Sequence, residues 1–219
     1  MSMIRHSSVK AVAAAPASPL VVIVDDDPGV RDSLDSLFRS VGLSTRLFGA
    51  PAELLQQPLP DGPGCIILDV RLPGISGLDF QNQLARQGIA LPIVFMTGHG
   101  DIPMTVRAMK AGAVDFLAKP FRDQEMLDAV AAAIERDRER RSAAATLETL
   151  RTAHATLTAR EREVMTHVVA GLMNKQIAGI LGLSEITVKI HRGNVMRKMG
   201  VRTLADLVRT AEALGIPKS

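Results

Sequence analysis

Hydrophobic and polar positions follow two different periods along the chain, and the change falls near residue 123. In the front part, short unbroken apolar runs alternate with segments whose apolar residues recur every three or four positions. The runs predict strands at Leu20–Val24, Cys65–Leu68 and Ile93–Met96, and weaker runs predict strands at Thr45–Phe48 and Val114–Ala118. Strands that are apolar on both faces and alternate with amphipathic helices are typical of a parallel sheet covered on both sides. The pattern therefore predicts a doubly wound α/β domain with a five-stranded parallel sheet over residues 20–122.

Residues 123–156 predict a long helical linker that continues the last helix of this domain, because no glycine or proline interrupts them. The charged run ERDRERR at residues 135–141 is interpreted as a solvent-exposed helix face with mixed-sign pairs. A self-associating connector is the alternative, although the apolar repeat is too short to predict a stable coiled coil.

Residues 157–219 predict four helices. Helix-capping side chains precede them at Thr158, which forms a capping box with Glu161, and at Asn174, Ser184 and Thr203. The second and third helices are joined by the tight turn 182–184, which is the layout of a helix-turn-helix. The four methionines of this region, Met165, Met173, Met196 and Met199, are expected to fill the core.

Composition restricts the class of protein. The chain has 219 residues, of which 47% are hydrophobic and 22% charged, and this length and balance are typical of one or two globular domains. A single cysteine argues against a disulfide framework or a Cys-rich zinc site and fits the reducing cytoplasm. No stretch approaches the ~18 uncharged apolar residues of a membrane span, so we expect no membrane partner. Residues 1–19 predict a disordered extension rather than a signal peptide.

The net charge of +3 is unevenly distributed. Residues 20–121 hold 8 Lys and Arg against 11 Asp and Glu, whereas residues 158–219 hold 10 against 5. An acidic front and a basic back favour two modules with different partners, and the partner of the basic second module is expected to be a polyanion.

Polar side chains follow the predicted strands at the edge where a doubly wound sheet binds its ligands. Asp25 and Asp26 follow the first strand, and Asp69 follows the third; Asp27 is interpreted as a helix cap. Crowded carboxylates need a cation, and hard oxygen ligands suit Mg²⁺. Thr97 and Lys119 follow the fourth and fifth strands, where a hydroxyl and an ammonium would meet an incoming phosphoryl group.

Four segments resemble the receiver domain of two-component response regulators, and the FixJ-like group in particular: VVIVDDDPGVRDSL, ILDVRLPGISGLDF, VFMTGHGDIPMTVRAMKAGAVDF and LAKPF. The resemblance covers nearly all of residues 20–140 and implies a flavodoxin-like fold. It implies that Asp69 accepts phosphate from a sensor histidine kinase, and that Mg²⁺ is held by Asp25, Asp26, Asp69 and the carbonyl of Arg71. It also implies that Thr97 and Phe116 are a switch pair and that Lys119 binds the phosphoryl oxygens. Arg71 and His99 either tune the lifetime of the phosphoryl group or are plain loop residues.

The segment from Leu157 to Arg209, with the string NKQIA…LSEITVKIHR…VMRKMG, resembles the LuxR-type DNA-binding domain of NarL/FixJ regulators. In the helix after Ser184, the period places Val188, Val195 and Met199 on a core stripe. The candidate DNA-binding residues are Lys175, Glu185, Thr187, Lys189, Ile190, His191, Arg192 and Gly193. Among these, the resemblance implies that Lys189, Ile190 and the position of Gly193 face base edges. Gly193 departs from the larger residue often found at this position. It either permits close approach of the helix backbone to the DNA or means that no base is read there. Arg197 and Lys198 either contact phosphate or are merely exposed at a helix end.

These features together predict a phosphorylation-activated transcription regulator rather than an enzyme, apart from its own phosphotransfer and slow autodephosphorylation. Phosphorylation is expected to promote homodimerisation through the surface near Phe116 and an exposed stripe of Leu204, Leu207 and Val208. One alternative is a phosphohydrolase with an aspartyl-phosphate intermediate, although Arg71 occupies the place where such enzymes hold their second acid. The other is a DNA-binding regulator that is never phosphorylated.

Overall fold

A computed structural model describes residues 18–98 and 102–217, which contain five strands and nine helices. The strands are β1 Leu20–Val24, β2 Ser44–Phe48, β3 Gly64–Asp69, β4 Ile93–Thr97 and β5 Asp115–Ala118. The helices are α1 Pro28–Ser40, α2 Pro51–Leu55, α3 Gly77–Arg86, α4 Ile102–Lys110, α5 Asp123–Ala155, α6 Ala159–Val169, α7 Asn174–Leu181, α8 Glu185–Lys198 and α9 Leu204–Ala213. The extension predicted to be disordered lies outside the described residues, except for its last two positions.

The five strands form one parallel sheet in the order β2-β1-β3-β4-β5, which confirms the predicted α/β fold class. The central strands are the most apolar, and every residue of β3 and β4 is buried. Their alternate side chains enter two separate cores, one on each face of the sheet. Phe95 and Phe80 lie in one core, and Phe38 and Met126 lie in the other. This burial on both faces explains why the strands are continuous apolar runs.

The chain divides into two compact units, and the boundary between them falls between Glu139 and Arg140, inside α5. The first turns of α5 pack on the sheet because Met126, Val130 and Ile134 recur at helical spacing and are buried. No helix in the described part of the chain combines the length and the apolar character needed to cross a membrane.

The second unit has a core of its own, built from α6, α7, α8 and α9. Val188, Val195 and Met199 are buried there, as the period of α8 predicted. Two details of the prediction are wrong. The N-cap position of α7 is occupied by Met173, without a capping side chain, and Asn174 is the first helical residue. Met173 is also 68% exposed rather than part of the core.

The charged run at residues 135–141 is not wholly a solvated face. Asp137 is completely buried, and one of its carboxylate oxygens accepts a hydrogen bond of 3.1 Å from the backbone N–H of Gly64 at the start of β3. A side chain at Gly64 would lie 2.4 Å from the carbonyl oxygen of Leu20, so only glycine lets β1 and β3 pair this closely. The period of the helix places Asp137 three residues after Ile134, on the packed stripe, and its hydrogen bond lets a carboxylate remain there.

We expect Asp137→Ala to lower the free energy of unfolding of the first unit by about 1–3 kcal/mol, because the buried N–H of Gly64 loses a charged acceptor. Denaturant unfolding of the full chain, with hydrogen exchange to localise the effect, measures this change. Glu135→Ala is the matched control: Glu135 belongs to the same run, its side chain is 61% exposed, and an effect within about 0.5 kcal/mol is expected. Equal effects of the two substitutions would contradict a structural role for Asp137.

Candidate functional site

Two carboxylates meet at the ends of neighbouring strands. Val24 of β1 pairs in register with Leu68 of β3, so the next residue of each strand, Asp25 and Asp69, lies at the same edge of the sheet. Asp25 is completely buried and Asp69 is 8% exposed. Carboxylate oxygens of Asp25, Asp26 and Asp69 lie within 4.8 Å of one another. This all-oxygen donor set, with one exposed member, fits a divalent cation of the hard class.

Lys119 bridges the two buried carboxylates. Its Nζ lies 2.6 Å from Oδ2 of Asp25 and 3.0 Å from Oδ2 of Asp69. Its backbone N–H donates to the carbonyl oxygen of Thr97 over 2.7 Å, which joins the ends of β4 and β5. The Lys119–Pro120 peptide is cis. The structure thus brings together Asp25, Asp69, Thr97 and Lys119, which the sequence placed at four separate strand ends.

The pKa values at this site follow from burial and pairing. Burial raises the pKa of Asp25 above its usual value, although the hydrogen bond from Lys119 acts in the opposite direction. Burial alone would lower the pKa of Lys119, but its hydrogen bonds to Asp25 and Asp69 together outweigh burial and raise it. The ammonium of Lys119 therefore pairs with both carboxylates, but ionisation of Asp25 in the folded protein remains unfavourable.

Backbone groups and a glycine fix the position of Asp69. Its Oδ1 accepts a hydrogen bond of 3.1 Å from the N–H of Arg71. A Cβ at Gly77, the first residue of α3, would lie 2.5 Å from the carbonyl oxygen of Asp69, so glycine lets α3 begin directly behind the strand end. Sequence reasoning missed Gly77, as well as Arg31, whose guanidinium donates to the carbonyl oxygen of Asp25 over 2.6 Å. The one signal for Gly77 was its position just after a loop and at the start of a helix.

The remaining residues of the receiver prediction lie near this cluster. Thr97 is completely buried. Phe116 is half-buried, pairs in register with Phe95 of β4, and has its ring centroid 6.3 Å from that of Phe95. Asp27 accepts a hydrogen bond of 2.7 Å from the N–H of Gly29 and caps α1, as interpreted from the sequence. His99 lies outside the described residues.

The second candidate site is the outer face of α8. Ser184 caps this helix by accepting from the N–H of Thr187 over 3.1 Å. Lys189, Ile190 and Gly193 lie on the exposed face, and Glu185 and Lys175 are exposed at the first turns of α8 and α7. A Cβ at Gly193 would meet nothing within 4 Å, so packing within the protein does not require glycine at that position.

Other predicted DNA-binding side chains also have contacts inside the unit. Thr187 and His191 are half-buried, and Nδ1 of His191 is buried with no hydrogen-bond partner among the described residues. Arg192 is half-buried and donates to the side-chain oxygen of Asn174 over 3.3 Å, which links α8 to α7. Arg192 therefore contributes to the angle between the two helices of the motif.

A partly buried ion pair between Lys198 and Glu161 holds the far end of α8. Lys198 Nζ lies 2.6 Å from a carboxylate oxygen of Glu161 and donates to the carbonyl oxygen of Thr156 over 3.0 Å. The hydrogen bond from Lys198, together with that from the Thr158 N–H, lowers the pKa of Glu161 to about 2. Lys198 is thus a structural residue, which neither of the two sequence interpretations anticipated. Arg197 is exposed and donates to Asn194 over 3.2 Å.

The predicted exposed stripe of α9 is wrong in part. Leu207 is completely buried and Val208 is half-buried, both in the core of the second unit, whereas Leu204 is 40% exposed. The helical period alone does not show which face of α9 points into the core, because that depends on the positions of the other helices of the unit.

Comparisons with known proteins match both units of the chain. The family described as "Response regulator receiver domain" matches residues 21–131, and that described as "Bacterial regulatory proteins, luxR family" matches residues 155–211. Nodulation protein W of Bradyrhizobium diazoefficiens is 61% identical over 202 residues, which cover 92% of this chain and 89% of the relative.

Two solved structures extend the similarity to the whole chain. The response regulator StyR is 49% identical, with a TM-score of 0.79, and the match covers 90% of this chain and 99% of StyR. Full-length FixJ from B. japonicum is 38% identical, with a TM-score of 0.56, and covers 93% of this chain and 100% of its own.

We expect Asp25→Asn to raise the free energy of unfolding of the first unit by about 1 kcal/mol at pH 7 in metal-free buffer, because the variant removes a buried charge whose ionisation the fold opposes. The folded-state pKa of Asp25 is raised, so the cost to the wild type is present above that pKa and vanishes as the pH falls towards the ordinary value of 3.8. The advantage of the variant should therefore shrink on acidification. Thermal unfolding at a series of pH values in the presence of EDTA tests this, with exposed Asp32→Asn as the control. A destabilised variant at pH 7 would show that pairing with Lys119 outweighs burial.

Proposed function

Because this chain belongs to the two-component response regulators that join a receiver domain to a LuxR-type DNA-binding domain, we propose that phosphorylation of Asp69 controls the binding of α8 to DNA. The observation that carries the proposal is the position of the Asp69 carboxylate, which is fixed by Lys119 and the N–H of Arg71 and adjoins Asp25 and Asp26. The regulator acts in the cytoplasm, where the chromosome lies.

We assign Mg²⁺ to the acidic cluster, held by Asp25, Asp26, Asp69 and the backbone carbonyl of Arg71. Oxygen donors of this kind, with room for water and a phosphoryl group, favour Mg²⁺ among the divalent cations. The ion supplies positive charge that offsets the developing charge on the transferred phosphoryl group.

The chain's own residues perform the transfer. A carboxylate oxygen of Asp69 attacks the phosphorus of a phosphohistidine; the new P–O bond forms as the P–N bond breaks, and the electron pair of that bond stays on the imidazole, which is then protonated. Lys119 moves from its pairing with Asp69 to the phosphoryl oxygens, where an ammonium is a strong donor. Beyond this transfer and slow loss of its own phosphoryl group, we propose no turnover, since the place two residues after Asp69 is held by Arg71 and provides no second acid.

The receiver unit offers the kinase a docking surface beside the reacting residues. A cleft of about 530 Å³ is lined by Lys119, by apolar side chains that include Val30, Leu37 and Phe121, and by the acidic residues Asp27 and Asp123. A largely apolar cleft that includes the phosphoryl-binding lysine suits a helix of the phosphodonor that presents its histidine to Asp69.

The phosphoryl group acts on the rest of the receiver through Thr97 and Phe116. It adds a charge of about −1.5 to −2 and new acceptor oxygens, which attract the buried hydroxyl of Thr97. Movement of Thr97 makes room for the half-buried ring of Phe116 to turn inward, and this changes the surface of β5 and α4. The phosphoryl group works by favouring one of two states of this surface.

We propose that this surface forms a homodimer. Helix α4 exposes Ile102, Val106 and Met109, of which Ile102 is 82% exposed, and their spacing places them on one side of the helix. A dimer presents two DNA-binding units to two half-sites, which raises the affinity for a paired site.

The DNA-binding residues remain those of the sequence analysis. Lys189, Ile190 and Gly193 face the bases, with Glu185 at the start of α8 accepting from a base amino group. Lys175, Thr187, His191 and Arg192 contact the phosphate backbone at the groove walls. These contacts belong to the helix-turn-helix arrangement of α7 and α8.

We expect the full chain to gain one phosphoryl group when it is incubated with acetyl phosphate and Mg²⁺, since Asp69 is the positioned nucleophile. Intact-mass spectrometry and peptide mapping measure the adduct, and hydroxylamine should remove it, as it does an acyl phosphate. Asp69→Asn abolishes the adduct, whereas the control Asp79→Asn, at an exposed position of α3, retains it. An adduct that survives in Asp69→Asn would overturn the proposed function.

For DNA binding, we expect Lys189→Ala to weaken the affinity of the phosphorylated protein for a duplex selected from a randomised library by about tenfold or more, because a base contact is lost. Fluorescence anisotropy at fixed salt measures the dissociation constant. Arg160→Ala, which removes an exposed cation of α6 paired with Glu163, is the control and should bind nearly as the wild type does. Equal losses in the two variants would mean that only overall charge matters.

Dimerisation is tested by sedimentation velocity before and after phosphorylation. We expect Val106→Glu to keep the phosphorylated protein monomeric, because it places a charge in the middle of the apolar face of α4. Val41→Glu replaces a valine of similar exposure, 51% against 44% for Val106, at the end of α1 and should dimerise normally. A wild-type protein that stays monomeric when phosphorylated would refute the proposed dimer.

A further inference from the structure

The outer face of α8 carries apolar side chains that take no part in the core. Ile186 is 73% exposed and Ile190 is 58% exposed, whereas Val188 and Val195 of the same helix are buried. Scattered exposed hydrophobic residues are ordinary on protein surfaces. A more specific feature is a pair of β-branched isoleucines one turn apart on a surface helix. Ile186 was not among the candidate residues predicted from the sequence.

The two isoleucines share their face with a lysine and a glycine. Ile186, Lys189, Ile190 and Gly193 have the spacing i, i+3, i+4 and i+7, so they form one stripe along the helix. All four are exposed. Since a Cβ at Gly193 would meet nothing of the protein, the stripe is open along its length, with an ammonium between two branched aliphatic side chains.

We infer that Ile186 reads a thymine by packing against its C5-methyl group in the major groove, beside the base that Lys189 contacts. The inference rests on the proposed function. The first residues of the second helix of a helix-turn-helix are those that meet base edges, and Ile186 is the second residue of α8. The thymine methyl is the apolar group that the major groove offers, and aliphatic side chains contact it.

The spacing sets where this thymine lies. Residues four apart are about 6 Å apart along a helix axis, and successive base pairs are about 3.4 Å apart. A helix that follows the groove therefore places Ile186 and Ile190 about two base-pair steps from each other, with Lys189 near the step between them. The thymine read by Ile186 lies within about two base pairs of the base read by Lys189.

The charge around the stripe favours DNA over a protein partner. Residues 158–219 hold 10 Lys and Arg against 5 Asp and Glu, and Lys175 and Arg197 are exposed on α7 and α8. An apolar patch framed by cations matches a groove whose walls are phosphates and whose floor carries methyl groups.

The test uses the phosphorylated full chain and a duplex selected by it from a randomised library. Each thymine of the selected site is replaced singly by deoxyuridine, which lacks only the C5-methyl group, and dissociation constants are measured by fluorescence anisotropy. We expect one replacement next to the Lys189-dependent base to weaken wild-type binding by about fourfold, the value of one buried methyl group. Ile186→Ala should lose affinity for the thymine duplex by a similar or larger factor and should show no penalty for deoxyuridine at that position.

Ile180→Ala is the matched control, because Ile180 is a similarly exposed isoleucine, at 57%, on α7. It should retain the deoxyuridine penalty in full, and thermal unfolding should show that both variants are folded. If Ile186→Ala binds as the wild type does and keeps the penalty at every thymine, the inference is overturned while DNA binding stands, and a protein partner becomes the explanation of the patch. If the wild type selects no sequence at all, the proposed function fails and the inference fails with it.

Discussion

The contact of Lys119 with two buried carboxylates is the constraint on which the receiver unit depends. Parallel pairing of β1 with β3 brings Asp25 and Asp69 to one edge, and burial makes their charges costly. A single ammonium at 2.6 and 3.0 Å offsets part of this cost. It stands at the end of β5, which is bonded to the end of β4. A change of charge at Asp69 must therefore alter the pairing of Lys119, and with it the balance of forces at the ends of β4 and β5.

The sheet was predictable because its signal is local and repeated. The central strands β1, β3 and β4 are nearly continuous apolar runs. Each acid or base of the site lies at the end of a predicted strand, so parallel topology alone places these side chains together. The predicted strand bounds differ from the observed ones by one residue at a few ends, where hydrogen bonding rather than hydrophobicity decides the limit. The sequence could not reveal the role of Gly77, because its need for glycine arises from the carbonyl of Asp69 in another element.

The same difference between local patterns and contacts distant in the sequence explains the errors in the helices. Asp137 stands in a run of charges, and its buried carboxylate is bonded to the backbone N–H of Gly64, 73 residues away. Lys198 resembles any cation at a helix end, and its partner Glu161 lies 37 residues earlier. Leu207 belongs to a helix whose inner face is defined by its neighbours. In each case the decisive contact joins residues that are distant in the sequence, and no periodicity within one helix reports it.

The second unit combines an apolar core with one inner ion pair and two exposed isoleucines, and each of these two exceptions has a physical reason. Its inner contacts include a partly buried ion pair, Glu161 with Lys198, which links α6 to α8 and fixes the far end of α8. Its outer face keeps Ile186 and Ile190 in water. A directional ion pair defines the orientation of a helix more narrowly than apolar packing does, because few geometries satisfy its hydrogen bonds. Apolar side chains held in a defined orientation can in turn discriminate a single methyl group, since their contact requires close fit and is lost with a small displacement. In the proposed complex, the groove would cover both side chains and so offset the cost of their exposure in the free protein.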